Sequence, residues 1–528
     1  MRSVRNTGTT RRGVSATADG TIASHEPQLR SARAGVVQLG MQGVRFALML
    51  GSGIVLARLL TPTEFGRWAV IASLRALADG IRGAGVLQAL LRAPGSSFEG
   101  ADQGRRRALR VALVTAATLV TTALLAPLLP FATPIDAALL LAAAPAVLGP
   151  ALTIDREAWL VRTGRVGRLA RIEIAATLLG AAAAIVAAWR GVGPWSLWLQ
   201  LITTAACRLI LLARVADARS DATRHTEPDD GAATPEPGRP TDPGRTDDAL
   251  AHYSRDFVRT QLLLQAGRLG DRFVVAALLG PTALGHYDTA ARWPALLVDQ
   301  VTSPLSSVMI ATLGRQTRTG DLDGVRASLL GPTALVLPAL AWLALEARWL
   351  LGTLLGSVWL PAAPVLQALC VAGMAGLLVK LVRWICLATA DVQMMVRWSY
   401  VTASFTSIAA LVTAPYGVDT VARAVAGASV AAALAALGTL RNHRPPEGRA
   451  VTMAFVFPLV ATAAATGVRP ALRLASSRGT LADDIGTIGD MLSGLAVFGS
   501  AYLAALLLHR SGRSLLWMTL HALTTRFR

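Results

Sequence analysis

The sequence predicts an all-α integral membrane protein with about fourteen transmembrane helices. Of its 528 residues, 53% are apolar and only 16% are charged, whereas soluble domains carry about 25% charged residues. The mean hydropathy is +0.49. Its apolar runs also reach the roughly 20 residues that a helix needs to cross a bilayer. This composition excludes an ordinary soluble enzyme and a disordered protein.

Fourteen apolar segments are long enough to span a membrane. In a bilayer such Ala/Leu/Val runs form helices, because a helix pairs its backbone polar groups within one segment. Their approximate bounds are residues 36–60, 66–91, 108–130, 135–155, 168–189, 193–214, 255–280, 285–313, 327–350, 361–389, 393–414, 418–440, 450–467 and 490–510.

The basic residues alternate between the two sides of these segments. Arginines cluster in every second loop, whereas residues 131–135, 280–285 and 414–420 contain neither Arg nor Lys. This is the positive-inside pattern, and it predicts that both termini are cytoplasmic. Residues 467–490 depart from it, with three arginines on the predicted outer side. The alternation explains the net charge of +19 without a nucleic-acid partner.

The segments divide into two six-helix bundles. We assign residues 36–214 to an N-terminal half and residues 253–440 to a C-terminal half. Residues 215–252 are rich in Pro, Gly, Asp and Thr, so we expect a disordered cytoplasmic linker. Residues 1–35 lack the apolar run of a signal peptide and are predicted to be a flexible cytoplasmic tail. Residues 441–528 hold two extra helices and a second tail.

The two halves resemble each other in sequence. The run LLTPTEFGRW begins at Leu59, and LLGPTALGHY begins at Leu278. At this constant offset of 219 residues, five of the ten positions are identical, and Gln42 and Gln261 fall in the same register. Because both turns are predicted to lie on the outer side, the repeat is parallel, about an axis along the membrane normal.

Three motifs in order carry a family resemblance. The segments ARLLTPTEFGRWAV (57–70), DRFVVAALLGPTALGHYDTAARWPALLVDQVTSPLSSVMIATLGR (271–315) and WLPAAPVLQALCVAG (359–373) resemble those of Wzx-like oligosaccharide flippases. These belong to the multidrug/oligosaccharidyl-lipid/polysaccharide exporter superfamily. The resemblance implies a bacterial inner-membrane protein that moves a polyprenyl-pyrophosphate-linked oligosaccharide by alternating access. One position departs from the family pattern: Gly83 stands where the family has an acid, and Asp79 lies one helical turn earlier.

Charged residues inside the predicted spans indicate where a substrate would bind, because such residues usually face a bundle interior or water. Arginine presents a planar fork that matches phosphate oxygens. We therefore predict a polar lining that receives the pyrophosphate and sugar hydroxyls. Its members are Arg45, Arg82, Arg268, Arg292, Gln42, Gln261 and Gln265. Asp79 and Asp271 are predicted to balance these charges or to respond to a coupling cation. The alternative is that these groups form ion pairs between helices, or reach to the interface.

The remaining signals favour a transporter over an enzyme. The sequence predicts no cofactor and no metal site, and Cys207, Cys370 and Cys386 lie singly in apolar runs. We expect the lipid bilayer and the lipid-linked oligosaccharide as partners, and further along the same process a polysaccharide polymerase and export machinery. Two alternatives are an ion-coupled multidrug antiporter and a membrane polysaccharide polymerase. An Arg-rich interior disfavours cationic drugs, and no large external catalytic loop is present for a polymerase.

Overall fold

The computed structural model describes residues 43–81, 134–147, 152–162, 165–224, 243–475 and 495–504, except 46, 390 and 497, with isolated positions between 109 and 124. Several of these residues have a described backbone only, including 77–80, 215–224 and 243–268. The described backbone is helical almost throughout and contains no strand. The predicted all-α class is therefore confirmed.

The described part of the N-terminal half is helical. A first helix, α1, covers residues 47–59. The described helices that follow are α2 (Pro62–Ile81), α3 (Pro134–Ala143), α4 (Ile154–Arg162), α5 (Val166–Trp189) and α6 (Trp195–Arg224). Span four, predicted at 135–155, differs: α3 tightens into a 3₁₀ turn at Ala144–Val147 and α4 begins at Ile154. Pro145 and Pro150 lie between these helices and cannot donate to a helical hydrogen-bond ladder.

The longest helical element opens the C-terminal half. Helix α7 runs from Pro243 to Thr319, but Gly280 interrupts it with φ 84° and ψ 179°. That conformation is essentially restricted to glycine, so α7 is two helices that meet at Gly280. These correspond to the predicted spans 255–280 and 285–313.

Five longer helices complete the described part of the C-terminal half and the region after it. They are α8 (Leu322–Leu345), α9 (Ala363–Ala388), α10 (Val392–Thr413), α11 (Val418–His443) and α12 (Pro445–Ala475). Short helical turns between 347 and 362 join α8 to α9. Asp391 begins α10, where its carboxylate accepts a hydrogen bond from the Met394 N–H at 3.2 Å. This is the turn predicted between spans ten and eleven.

Six described helices are long and apolar enough to cross a membrane, and α7 supplies a seventh if its stretches Leu269–Ser306 and Val308–Thr319, which are bent by 59° relative to each other, form one span. The six are Gly167–Trp189, Trp195–Arg214, Leu322–Leu345, Ser357–Ala388, Val418–His443 and Pro445–Gly467. Most of the spans predicted at 108–130 and 490–510 lies outside the described residues. The total of fourteen therefore stays a prediction.

Helices extend into both ends of the predicted linker. Helix α6 continues to Arg224, and α7 begins at Pro243, whereas composition predicts that 215–252 lacks structure. Residues 215–224 contain neither Gly nor Pro, so nothing in their sequence ends α6 earlier. Proline is favourable at the first position of a helix, which explains the start of α7. Residues 225–242 lie outside the described part.

The core joins the two halves. One cluster combines Leu60 and Phe65 from the N-terminal half with Leu284, Tyr287 and Trp359 from the C-terminal half, all at most 5% exposed. A second cluster lies among α7, α8, α9, α11 and α12. Large apolar side chains on α10, such as Phe405 and Ile408, are exposed and suit a lipid-facing surface.

Candidate functional site

The two repeated turns meet face to face at one end of the molecule. We call this the turn end: residues 61–66 and 280–285 with the connecting segment 351–362. Thr63 and Thr282, which occupy the same place in the two repeats, share a hydrogen bond with their hydroxyl oxygens 2.8 Å apart. These two corresponding residues, 219 positions apart in the sequence, therefore contact each other about a local pseudo-twofold axis.

Two glycines make this contact possible. A Cβ added at Gly66 would overlap the carbonyl oxygen of Pro281, and one added at Gly285 would overlap the carbonyl oxygen of Pro62. Each turn therefore places a glycine against the backbone of the other, and no side chain fits at either position. The predicted sequence repeat corresponds to reciprocal packing of α2 against the second part of α7.

The two turns are built differently. In the first, the Glu64 carboxylate accepts hydrogen bonds from the Thr61 N–H at 2.7 Å and from its hydroxyl at 3.0 Å. Together with Pro62 at the helix start, this is a capping-box arrangement. The second turn has alanine at the position of Glu64 and relies on the positive φ of Gly280.

Segment 351–362 closes the turn end from the side of the C-terminal half. The Trp359 indole is buried and donates a hydrogen bond to the Ala57 carbonyl at 2.8 Å. Its ring contacts Phe65 edge-on, with 5.4 Å between ring centroids. Arg58 donates to the Leu354 carbonyl at 2.8 Å and also to the Thr353 carbonyl. These contacts join α1 and α2 to a segment about 300 residues away and seal this end of the molecule.

Below the turn end, α7 carries a buried charge cluster. Asp288 is 7% exposed at its side chain and lies between Arg272, at 3.2 Å, and Arg292, at 2.7 Å. The neighbouring Asp271 accepts a hydrogen bond from the Tyr287 hydroxyl at 2.5 Å. Since Asp271 and Arg272 precede Gly280 while Asp288 and Arg292 follow it, these bonds connect the two parts of α7.

A cavity of about 470 Å³ lies within the C-terminal half, between α7, α9, α10 and α11. Its wall is mostly apolar, with hydroxyl groups on α10 and α11. The charged side chains that line it are Asp271, Arg272, Asp299, Lys380 and Arg383. The cavity thus combines three basic and two acidic groups with apolar surface.

Lys380 and Asp299 form an ion pair across this cavity, from α9 to the second part of α7. The Lys380 ammonium also donates to the Thr302 hydroxyl at 2.8 Å. The Lys380 side chain is 14% exposed and that of Asp299 is 44% exposed. The pair therefore lies at the cavity surface.

Ion pairs in the N-terminal half connect different helices. Arg45 pairs with Glu173 of α5 at 2.5 Å. Arg208 of α6 pairs with the buried Glu157 of α4 and approaches Glu173 at 3.6 Å. Arg208 therefore links three helices, α4, α5 and α6.

The structure describes the side chains of three of the nine predicted site residues. Arg45 pairs with Glu173 and is 54% exposed, Arg292 pairs with Asp288, and Asp271 lines the cavity. Outside the described side chains lie Gln42, Asp79, Arg82, Gln261, Gln265 and Arg268. The binding and ion-coupling roles of all nine stay predictions.

Asp299 and Lys380 are not among the site residues that the sequence predicts. The signal was available, since Lys380 is the only lysine among 51 basic residues. The ion pair with Asp299 could not be predicted from the sequence, because 81 residues separate the two residues. The hydrogen bond of Trp359 across the halves has no signal in the sequence.

Among the described residues, no three His, Cys, Asp or Glu side chains are grouped to hold a metal ion. The described cysteines Cys207, Cys370 and Cys386 are free thiols. Several described carboxylates instead form ion pairs, as Asp288 and Asp299 do.

Comparisons with known proteins agree with this architecture. The family model described as "Polysaccharide biosynthesis protein" matches residues 55–364. The fold is similar to a lipid II flippase, MurJ, in its inward closed conformation, with a TM-score of 0.60 and 11% identity over 90% of this chain and 97% of that one. It is also similar to an inward-facing multidrug resistance MATE family transporter of the MOP superfamily, with a TM-score of 0.52 and 15% identity over 79% and 99% of the two chains. No curated protein sequence matches the chain. At these identities the two structures establish the fold, which is that of MOP-superfamily transporters.

Proposed function

Since the chain belongs to the polysaccharide biosynthesis protein family, we propose that it is a flippase for a lipid-linked oligosaccharide. The substrate is an oligosaccharide on polyprenyl pyrophosphate, moved across the bacterial inner membrane for surface polysaccharide assembly. The protein carries out no covalent chemistry on it. Both termini are cytoplasmic in this proposal, following the positive-inside pattern.

The observation that carries the proposal is the closed turn end. In the proposed orientation it faces outward, so the described state is closed to the outside. Reciprocal contact between two repeats that are otherwise separate bundles is what an alternating-access transporter needs. Opening requires that Gly66 leave Pro281 and Gly285 leave Pro62, and the Thr63–Thr282 hydrogen bond then breaks.

The charge inside the molecule suits an anionic amphiphile. The described cavity lining has one more basic than acidic side chain, beside an apolar wall. We assign contacts with the pyrophosphate and sugars to Arg45, Arg82, Arg268, Arg292, Gln42, Gln261 and Gln265. In the empty state Glu173 and Asp288 neutralise Arg45 and Arg292. Asp79 and Asp271 balance further charges or respond to a coupling cation.

The fold supports the same class of cargo. One structure that it resembles is titled as a lipid II flippase. The similarity to a multidrug transporter keeps ion-coupled drug antiport as the second candidate. A partly dry, arginine-bearing interior strengthens contacts with phosphate and disfavours cations.

Leaflet accessibility in a deletion strain tests the proposal. A glycan-specific probe confined to the outer face reports on lipid-linked repeat units. We expect the units to accumulate and to stay inaccessible, because translocation is missing. Units that accumulate but are accessible would show that flipping is intact and would place the protein at a later step such as polymerisation. A strain that accumulates nothing but loses drug efflux would favour the antiporter.

A further inference from the structure

Two side chains cap helix ends reciprocally across the two halves. Helix α1 ends at residue 59, and the Ala57 carbonyl in its last turn accepts the Trp359 indole N–H. In the opposite direction, Arg58 donates to the carbonyls of Thr353 and Leu354, at the end of a short π-helix. The last carbonyls of a helix have no partner within it. Each half therefore satisfies helix-end carbonyls of the other while the turn end is closed.

The two caps differ in charge. Trp359 is neutral and buried, whereas Arg58 is a cation with an exposed side chain. Within the described part of the chain, both hydrogen-bond partners of Arg58 are backbone carbonyls, so its charge meets only the partial charges of a helix end. At the offset of 219 residues its counterpart is Ala277. A cation at this position is therefore not part of what the two turns share.

Opening of the turn end must release Arg58, because its carbonyl partners belong to the other half. The freed guanidinium is then a charged fork at the outer mouth, and such a fork matches phosphate oxygens bidentately. In the proposed orientation the last turn of α1 lies at the depth of the outer headgroups. A polyprenyl pyrophosphate whose tail stays in the hydrocarbon places its pyrophosphate at the same depth.

We propose that Arg58 alternates between two partners: the helix-end carbonyls when the turn end is closed, and the pyrophosphate of the lipid-linked substrate when it is open. This inference rests on the proposed flippase function and deepens it. The edge of the guanidinium formed by Nε and one terminal nitrogen serves the carbonyls and is also the edge that holds a phosphate. The two contacts exclude each other, so the turn end recloses only after the pyrophosphate has left.

Cross-linking of a Thr63→Cys/Thr282→Cys protein reports the closed state, because the two positions touch across the halves. The full-length protein in phosphatidylcholine nanodiscs is oxidised with diamide, which needs no metal ion that pyrophosphate would chelate. The probes are inorganic pyrophosphate and a polyprenyl pyrophosphate without sugar, and sulfate at equal ionic strength controls for screening. We expect each probe to slow cross-linking about three-fold or more, because a ligand that binds only the open state shifts the population toward it.

Substitutions of Arg58 in the same cysteine background test its assignment. With Arg58→Gln, we expect cross-linking to lose its response to both probes. Arg58→Lys keeps the charge without the planar fork and should keep part of the response. Arg190→Gln replaces another exposed arginine, at the end of α5, and as the matched control should respond like the protein with both arginines. If Arg58 were only a structural cap, its loss would change the basal cross-linking rate, and neither probe would act on any variant.

The outcomes separate this inference from the proposed function. A response that persists in Arg58→Gln, or that sulfate reproduces, would overturn the role of Arg58 and leave the flippase standing. A response to inorganic pyrophosphate with none to polyprenyl pyrophosphate would overturn the lipid-linked ligand at this site. If the deletion strain displays its repeat units at the outer face, the flippase is overturned, and the transport role of Arg58 with it.

Discussion

Residues 61–66 of the N-terminal half and residues 280–285 of the C-terminal half form corresponding turns, yet the helices behind them carry different charges. At the offset of 219 residues, Asp271, Arg272 and Asp288 of α7 correspond to Ser52, Gly53 and Ala69. The positions that touch across the pseudo-twofold axis are the same in both halves: Pro, Thr and Gly. Asp271, Arg272 and Asp288, by contrast, have uncharged counterparts in the N-terminal half.

This difference shows which part of the repeat is constrained by contact. Gly66 and Gly285 each lie against the backbone of the other turn, so any side chain at either position would separate the halves. The ion-pair partners of Asp288, Arg272 and Arg292, belong to its own half. The corresponding positions therefore hold a buried charge in one half and a buried apolar side chain, Ala69, in the other.

Exchanging charge at these related positions is expected to give the largest effects. Ala69→Asp places a carboxylate at a fully buried site. Because the site was not formed to pair a charge, the substitution should destabilise the fold by about 3–5 kcal/mol. Asp288→Ala removes the carboxylate between two arginines. It should cost less, about 1–3 kcal/mol, because Arg292 is 41% exposed and water compensates it in part. Thermal unfolding of the purified protein in detergent measures both.

Ala69→Ser, which adds a polar group without charge, is the control and should shift the unfolding midpoint much less than Ala69→Asp. An Ala69→Asp protein as stable as wild type would show that the N-terminal half has room for the same charge, and the contrast between the halves would disappear.

The glycine contacts should respond symmetrically. Gly66→Ala and Gly285→Ala each place a methyl group against a carbonyl oxygen, and overpacking of this kind costs about 1–3 kcal/mol. We expect similar losses for the two variants, because the contacts are reciprocal. Unfolding midpoints of both proteins check this expectation.

Gly331→Ala is the matched control. It lies in α8 with nothing within 4 Å of an added Cβ, and it should be neutral or slightly stabilising. If only one of the two turn glycines tolerated alanine, the reciprocal contact would not be the feature that joins the halves.

The smallest effect is expected at the shared hydroxyl pair. Thr63→Val and Thr282→Val each remove one partner of a hydrogen bond, worth about 0.5–1.5 kcal/mol. The double variant should cost clearly less than the sum of the two single variants, because both remove the same bond. A double-mutant cycle on unfolding midpoints measures this coupling. Strictly additive losses would mean that the two hydroxyls do not interact.

Much of the fold follows from the sequence because its causes are local. Apolar runs and their bounding turns predict helices α8 to α11 closely, for instance 418–440 against Val418–His443. The repeat at Leu59 and Leu278 predicts that two turns are alike. It does not predict that they touch, since contact depends on how the bundles dock.

The candidate site was harder to predict for the same reason. Composition marks Lys380 as unusual, and helical spacing places Asp299 on a polar face, but their pairing joins α9 to α7 across 81 residues. Likewise, the i, i+4 pair of Asp288 and Arg292 is visible in sequence, whereas the bond from Arg272 to Asp288 depends on the break at Gly280. Local spacing identifies polar faces, and tertiary packing decides which faces meet.

The central claim is that the turn end must open for a lipid-linked oligosaccharide to cross the membrane. A Thr63→Cys/Thr282→Cys protein tests it, because the two hydroxyl oxygens lie 2.8 Å apart and cysteines there can be cross-linked. The measurement is the outer-face accessibility of lipid-linked repeat units in the deletion strain carrying this protein, with each single cysteine variant as control. We predict that oxidation leaves the units inaccessible, that reduction restores their appearance outside, and that the single variants are unaffected. Repeat units that become accessible at the wild-type rate while the cross-link is intact would contradict the account.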